Sequence, residues 1–208
     1  MKKRFIFYLF TLPCIGISVF FIFNIIAIAQ YPGYEKCIHQ SIDSCIEYER
    51  SDHYSFTHNF FSELGSINTN TDDDTYEGGS NNKANTVSMI FFNGSLVCVG
   101  AVLIIFYTFF YKFFIWKEDS QKSIQYSRFC KYIGIITGIM FIGVGFVPHD
   151  LHFASHVFLA KWAFATLLPL SIFHALSFKN SIYIKNRYSF GYILFCIILS
   201  IYVYHLYL

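Results

Sequence analysis

The sequence predicts an all-α membrane protein, a bundle of five transmembrane helices, on three observations. Apolar residues make up 55% of the chain and charged residues only 13%, whereas soluble globular proteins usually carry about a quarter charged residues. Five apolar segments approach or exceed the roughly 20 residues that a helix needs to cross a bilayer. Lysine and arginine are concentrated in alternate connecting segments, as in multi-pass membrane proteins. The whole chain, residues 1–208, is therefore predicted to be a single transmembrane domain.

The predicted spans cover about residues 5–30, 87–110, 132–147, 153–178 and 188–208, and a long polar loop, 31–86, separates the first two. The first span has an alternative interpretation as a secretory signal, because Ala27-Ile28-Ala29 resembles a cleavage site. Its apolar run is longer than the core of such signals, about 7–15 residues, which favours an uncleaved span.

The placement of basic residues predicts the orientation of the bundle. Eleven of the 15 lysines and arginines fall on one side, namely Lys2, Lys3, Arg4, Lys112, Lys117, Lys122, Arg128, Lys131, Lys179, Lys185 and Arg187. The N-terminus is therefore predicted to be cytoplasmic and the loop external, in the cell membrane. The net charge of +2 gives no indication of nucleic acid, so membrane lipids are the expected partners.

Two features of the external loop bear on structure. Cys37 and Cys45 lie in a compartment where a disulfide can persist, although two free thiols remain the alternative. The stretch Tyr54–Leu64 has apolar residues at helical spacing and a glycine, Gly65, where a helix would stop. It is predicted to be a short interfacial helix that brings His58, Ser62 and Glu63 near the outer ends of the spans. The alternative is an ordinary interfacial anchor whose polar groups face outward.

Ionisable residues also interrupt the apolar sequence between the third and fourth spans, in VPHDLHFASH. Proline is tolerated in the first turn of a helix, so the fourth helix is predicted to begin close to Pro148. Asp150 then lies in the first turn, where a carboxylate suits the positive end of the helix dipole. In this interpretation Asp150 is a helix-start residue.

Three histidines of the same stretch are predicted to share one helix face, namely His149, His152 and His156. His152 and His156 have the i,i+4 spacing at which two imidazoles bind one zinc ion. A third ligand would have to come from elsewhere, with Glu63 or His58 as candidates. The alternative is that these are interfacial histidines bonded to water, headgroups or neighbouring helices.

Polar and small residues within the spans indicate helix contacts. A charge at the depth of Lys161 is costly unless it is paired or reached by water, and Asn93 in the second span is one candidate partner. Asn93 can also hydrogen-bond across to a neighbouring helix. Gly134 and Gly138 form a G-x-x-x-G face that predicts close packing of the third span.

In order along the chain, these motifs resemble the membrane family called domain of unknown function 998 and, more remotely, DRAM-type membrane proteins. The resemblance covers about residues 55–165: SELG after the first span, IFFNGSL in the second, VGFVPHD closing the third and LHFASH opening the fourth. It implies a six-helix membrane domain with no settled activity, whereas this chain offers five spans. The residues that match the family pattern are Ser62, Glu63, Gly65, Asn93, Pro148, Asp150 and His156.

Three hypotheses about function follow. The first is a non-enzymatic membrane protein for lipid binding, sensing or scaffolding. The second is a metal-dependent hydrolase acting on a lipid ester or amide at the outer leaflet. There His152 and His156, with Asp150 or His58, would hold a metal, for which zinc is the candidate. Glu63 would then serve as general base and Ser62 as an oxyanion donor.

The third hypothesis is a proton-coupled transporter that uses Asp150, Lys161 and the histidines. Five spans without an evident inverted repeat disfavour it.

Overall fold

Five long helices form the protein, as the sequence predicts. The computed structural model describes residues 2–40, 45–69 and 83–207, with the backbone alone for residues 2, 35–40, 45–49, 206 and 207. The first helix, α1, consists of Lys2–Ile6, a π-helical segment Phe7–Thr11 and Leu12–Ala29. The others are α2 (Thr86–Trp116), α3 (Gln121–Phe146), α4 (Phe153–Lys179) and α5 (Arg187–Tyr207). All five are long and apolar enough to cross a membrane.

The helices pack in chain order, each against the next. The α1–α2 loop and the α3–α4 turn therefore lie at one end of the bundle, which we call the loop end. The α2–α3 and α4–α5 turns lie at the other, which we call the basic end. Which end faces the cytoplasm is not shown by the fold, and the predicted orientation stays a prediction.

Close packing of α2 against α3 depends on glycine, as the G-x-x-x-G pattern predicts. A Cβ atom on Gly138 would lie 2.6 Å from the carbonyl oxygen of Gly100 on α2. A Cβ atom on Gly134 would lie 2.5 Å from the ring of Tyr107. Since real Cβ atoms do not approach other atoms so closely, larger residues would force the two helices apart.

Helix α3 begins at Gln121, well before the predicted start of its span at residue 132. The Ser120 side chain accepts a hydrogen bond from the Ser123 backbone N–H and caps the helix. The Ser123 hydroxyl in turn donates to the carbonyl of Ser177 on α4, at 2.7 Å. The polar first turns of α3 are thus held by α4 as well as by their own backbone, which hydropathy along the chain cannot reveal.

The long loop contains structure that the sequence analysis did not predict. β1 (Tyr34–Gln40) and β2 (Cys45–Ser51) form an antiparallel hairpin, with Tyr34 opposite Ser51 and Cys37 opposite Tyr48. The side chains of Cys37 and Cys45 lie outside the described residues, so their disulfide stays a prediction.

The interfacial helix predicted over Tyr54–Leu64 was wrong in extent. Only Phe61–Gly65 is helical, as a single 3₁₀ segment. The preceding residues form a turn in which the Asn59 backbone N–H donates to the Ser55 carbonyl, at 2.9 Å. The Asn59 side-chain oxygen accepts from the Ser55 N–H, at 3.0 Å. This local side-chain bond to the backbone competes with helix formation.

Two apolar cores hold the bundle together. The one near the loop end includes three residues of the loop, Tyr31, Tyr54 and Leu64, packed against Phe92 and Val144 of the helices. The other, near the basic end, contains Tyr107, Phe110, Phe114, Cys130 and Leu170. The loop is therefore part of the folded core at its end of the bundle.

Candidate functional site

The polar residues singled out from the sequence meet at the loop end, where they bind the backbone of residues 60–68. The structure brings Glu63, Asn93 and Asp150 to this segment. It leaves His58 and His152 exposed on the surface.

Glu63 is buried, with 5% of its surface exposed, and both of its carboxylate oxygens are occupied. Oε1 accepts from the Phe60 backbone N–H, at 2.9 Å, which is the half of a capping box that an acidic third residue supplies. Oε2 accepts from the Asn59 amide at 2.6 Å and from the Tyr31 hydroxyl at 3.3 Å. A general-base role would require Glu63 to give up these bonds.

The ring of Tyr54 lies near Glu63, beside Tyr31. It packs edge-on against the ring of Tyr31, with centroids 5.6 Å apart. Burial, with a smaller contribution from the negative charge of Glu63, raises the pKa of Tyr54 to about 12. Tyr54 therefore stays protonated at any physiological pH.

Three side chains donate hydrogen bonds to carbonyl groups in or just after the 3₁₀ segment. They are Asn85, which precedes α2, and Ser88 and Asn93 of α2. The buried Asn85 amide donates to the carbonyls of Glu63, Leu64 and Ser66, at 3.2, 3.2 and 3.0 Å. The hydroxyl of Ser88 donates to the Leu64 carbonyl at 3.0 Å. Because every bond goes to the main chain, these residues fix the path of the loop.

Asn93 makes the third of these contacts, further along α2. Its amide donates to the Gly65 carbonyl, at 3.0 Å. A Cβ atom on Gly65 would collide with the Asn93 side chain and lie 2.7 Å from the Phe92 ring, so glycine is required for this approach. This bond uses the Asn93 N–H group, and the candidate pairing of Asn93 with Lys161 stays a prediction.

Asp150 joins the α3–α4 turn to the same loop segment. Its carboxylate accepts from the backbone N–H of Ile67, at 3.0 and 2.9 Å, and from that of Asn68, at 3.0 Å. The prediction that Asp150 lies in the first turn of a helix was wrong. Helix α4 begins only at Phe153, and residues 148–151 form a turn in which the Leu151 and His152 N–H groups bond the Pro148 carbonyl.

The later start of α4 leaves His149 and His152 outside the helix, so the three histidines do not share a helix face as predicted. His149 is buried in the turn, His152 is the exposed residue that precedes the helix, and His156 is buried within it. His156 Nδ1 lies 2.7 Å from the Val147 carbonyl oxygen. The rings of His149 and His156 are in edge contact, with centroids 6.0 Å apart.

The other predicted metal ligand and the proposed oxyanion donor lie apart from these rings. His58 is exposed, and its Nδ1 lies 3.0 Å from the Ser55 hydroxyl and 2.8 Å from that of Thr57. Ser62 is half-buried. Across residues 2–40, 45–69 and 83–207, no group of three histidine, cysteine, aspartate or glutamate residues could hold a metal ion. The hydrolase hypothesis therefore has no ligand set among the described residues.

Sequence reasoning missed the contacts of Asn85 and Ser88 with the loop, and it missed one contact between helix side chains near this end of the bundle. Asn24 of α1 is 5% exposed, and its amide donates to the Ser95 hydroxyl of α2 at 3.1 Å and to the Phe20 carbonyl at 2.7 Å. A lone asparagine inside an apolar run was the only available signal.

A second missed contact lies in the other core. His174 is 1% exposed, its Nδ1 lies 3.1 Å from the Tyr107 hydroxyl, and its ring stacks on Tyr192 of α5 with centroids 4.0 Å apart. It ties α5 to the bundle, far along α4 from His156.

Fold and site together define a multi-pass integral membrane protein whose long loop is bound to one end of its helical bundle. Comparison with protein-family models, with curated proteins and with solved structures gives no match. The resemblance to the domain of unknown function 998 family thus rests on the short motifs alone and stays an expectation.

Proposed function

We propose that this membrane protein is a non-enzymatic scaffold, which holds residues 54–69 at the loop end as a recognition surface for a second protein. The observation that carries the proposal is the use of three polar side chains, of which Asn85 and Asn93 are buried and Asp150 is half-buried. The backbone of residues 63–68 is hydrogen-bonded by the side chains of Asp150, Asn85 and Asn93. Contacts of this kind, made to the main chain, position a loop.

The positioned segment presents large apolar side chains. Phe56 and Phe60 are 73% and 74% exposed, on a loop whose neighbouring residues Tyr54 and Leu64 are buried in the core. Exposed apolar groups in one patch mark contact surfaces, and aromatic side chains are enriched at the centres of protein interfaces. The partner is therefore expected to offer an apolar pocket for these two rings.

A photo-crosslinking experiment tests the proposal. A benzophenone amino acid replaces Phe56 or Phe60 in the full chain, and native membranes are irradiated. We expect both positions to give the same discrete protein adduct. The matched control places the crosslinker at His53, which is exposed on the same loop but outside the apolar patch, and it should not give that adduct.

Asp150→Ala, combined with the crosslinker at Phe56 or Phe60, tests whether the partner binds only when Asp150 holds the loop against the bundle. The adduct should weaken strongly, while membrane insertion is unchanged. Adducts with lipid alone would show that the two rings are interfacial anchors and would contradict a protein partner. If Asp150→Ala left the yield of the adduct unchanged, that result would contradict the role of Asp150 in positioning the loop.

A further inference from the structure

The basic end carries a cluster of cations and aromatic rings at the level where the apolar parts of α2 and α3 end. The apolar run of α2 stops before Tyr111, and that of α3 starts near Tyr132. The structure places these two boundaries side by side, because Lys131 Nζ lies 5.6 Å from the Tyr111 ring centroid and 5.1 Å from that of Tyr132. Tyrosines at such a boundary mark the headgroup layer of a bilayer.

Two cations approach the same ring. The Arg128 guanidinium carbon lies 5.8 Å from the Tyr111 ring centroid. Arg128 and Lys131 are three residues apart and lie on one side of α3. In the part of the chain that the structure describes, neither cation forms an ion pair with a carboxylate.

The nearest acidic residues along the chain are Glu118, which is exposed, and Asp119. Asp119 is 4% exposed, and its oxygens accept from the Ser120 N–H, the Ser181 hydroxyl and the Ile182 N–H. Two like charges beside one ring repel each other unless an anion lies near both. The cluster therefore has the charge arrangement of an anion site.

Apolar surface continues from this cluster along α3. Arg128, Tyr132, Ile136 and Ile139 follow one another at spacings of three and four residues, so they form a single stripe. Tyr132, Ile136 and Ile139 are 57%, 47% and 52% exposed. A cationic group at the headgroup level followed by an exposed apolar stripe matches the shape of a phospholipid, with its phosphate at one end and its acyl chain beyond.

We propose that Arg128, Lys131 and Tyr111 bind the phosphate group of an anionic phospholipid, whose acyl chain lies along the α3 stripe. Guanidinium groups bind phosphate oxygens in a forked geometry, and the ammonium of Lys131 adds a second charge. This basic end is the one predicted to face the cytoplasmic leaflet, where anionic lipids attract basic residues close to a span.

The test measures lipid binding to the detergent-purified full chain. Phosphatidylglycerol or phosphatidylcholine is titrated into the micelles, and the bound lipid is counted by native mass spectrometry. We expect Arg128→Gln/Lys131→Gln to weaken phosphatidylglycerol binding by roughly 25-fold, about five-fold for each cation removed. Phosphatidylcholine binding should change little. Arg128→Gln alone should weaken phosphatidylglycerol binding about five-fold, which keeps the proposal testable if the double variant does not fold.

The matched control, Lys122→Gln/Lys185→Gln, removes two exposed lysines from the same end of the bundle. It should lose much less affinity, because neither lysine borders the apolar stripe. Equal losses in the two double variants would overturn the site in favour of general charge attraction. Full competition by excess inorganic phosphate would overturn the lipid assignment in favour of a soluble anion.

Discussion

The carboxylate of Asp150 accepts hydrogen bonds from the backbone N–H of Ile67, 83 residues earlier in the chain. This contact joins the long loop to the α3–α4 turn. A similar contact closes the basic end, where Asp119 accepts from the backbone N–H of Ile182 at 2.8 Å. At each end of the bundle, therefore, an aspartate in one short turn accepts hydrogen bonds from the backbone of the other connecting segment at that end.

Replacing Asp150 should release residues 64–69 from the bundle. A hydrogen bond to a charged group contributes about 1.5–3 kcal/mol, so Asp150→Ala is expected to destabilise the docked loop by about 2 kcal/mol. Hydrogen exchange of the Ile67 and Asn68 amides, followed by mass spectrometry in detergent, should become faster. Asp52→Ala is the control, since Asp52 is exposed on the same loop. Unchanged exchange in Asp150→Ala would contradict the docking.

Gly65 and Gly191 provide a matched pair of alanine substitutions. Gly65→Ala places a Cβ atom against Asn93 and Phe92, and overpacking of this kind typically costs about 1–3 kcal/mol. Gly191 has no atom within 4 Å of such a Cβ, so Gly191→Ala should be neutral or stabilise α5 by up to about 1 kcal/mol. Thermal midpoints of the purified variants distinguish the two, and equal midpoints would argue against close contact at Gly65.

The hydrogen bond between Asn24 and Ser95 should couple the first two helices. A double-mutant cycle with Asn24→Ala and Ser95→Ala is expected to give a coupling energy of about 0.5–1.5 kcal/mol, the range measured between helices in membranes. The stability of the four proteins would be measured by unfolding in mixed micelles. Strict additivity would mean that the bond contributes nothing.

Asp119→Ala should loosen the α4–α5 connection. It removes the acceptor for three groups, of which two are backbone N–H groups, those of Ser120 and Ile182. A hydrogen bond to a charged acceptor typically contributes about 1.5–3 kcal/mol, and the acceptor lost here is a buried carboxylate. Protease cleavage within residues 180–186 should therefore accelerate. As the control, Glu118→Ala removes an exposed neighbouring carboxylate and should leave the cleavage rate unchanged. If Glu118→Ala accelerated cleavage as much as Asp119→Ala, the loss of negative charge would be the cause and the hydrogen bonds of Asp119 would not.

Metal content tests the hydrolase hypothesis directly. His156 is buried and its Nδ1 bonds the Val147 carbonyl, whereas His152 is exposed on the surface, so the two rings do not converge as ligands. Elemental analysis of the purified protein should give the same low zinc content for the wild type and for His152→Ala/His156→Ala. Stoichiometric zinc that is lost in the variant would revive the metal site and count against a non-enzymatic scaffold.

The spans could be predicted from the sequence because the cost of placing polar groups in a bilayer depends on local composition. The first, fourth and fifth spans begin and end close to their predicted limits, although the fourth helix does not extend back to Pro148 as predicted. The third was predicted too short, because its first turns are polar and depend on the Ser177 carbonyl of α4. The close approach of α3 to α2 was also foreseeable, since Gly134 and Gly138 lie four residues apart.

Local composition thus determined by itself that the chain has five segments long and apolar enough to cross a membrane, and it indicated several of the polar residues that interrupt them. Only the tertiary structure decided what those residues do. Asp150 and Asn93 bind backbone N–H and C=O groups of the loop, as does Asn85, which the sequence did not single out. Every residue of a chain carries a C=O group and, proline excepted, an N–H group. No sequence pattern can specify such partners, because they are selected by the path of the folded chain.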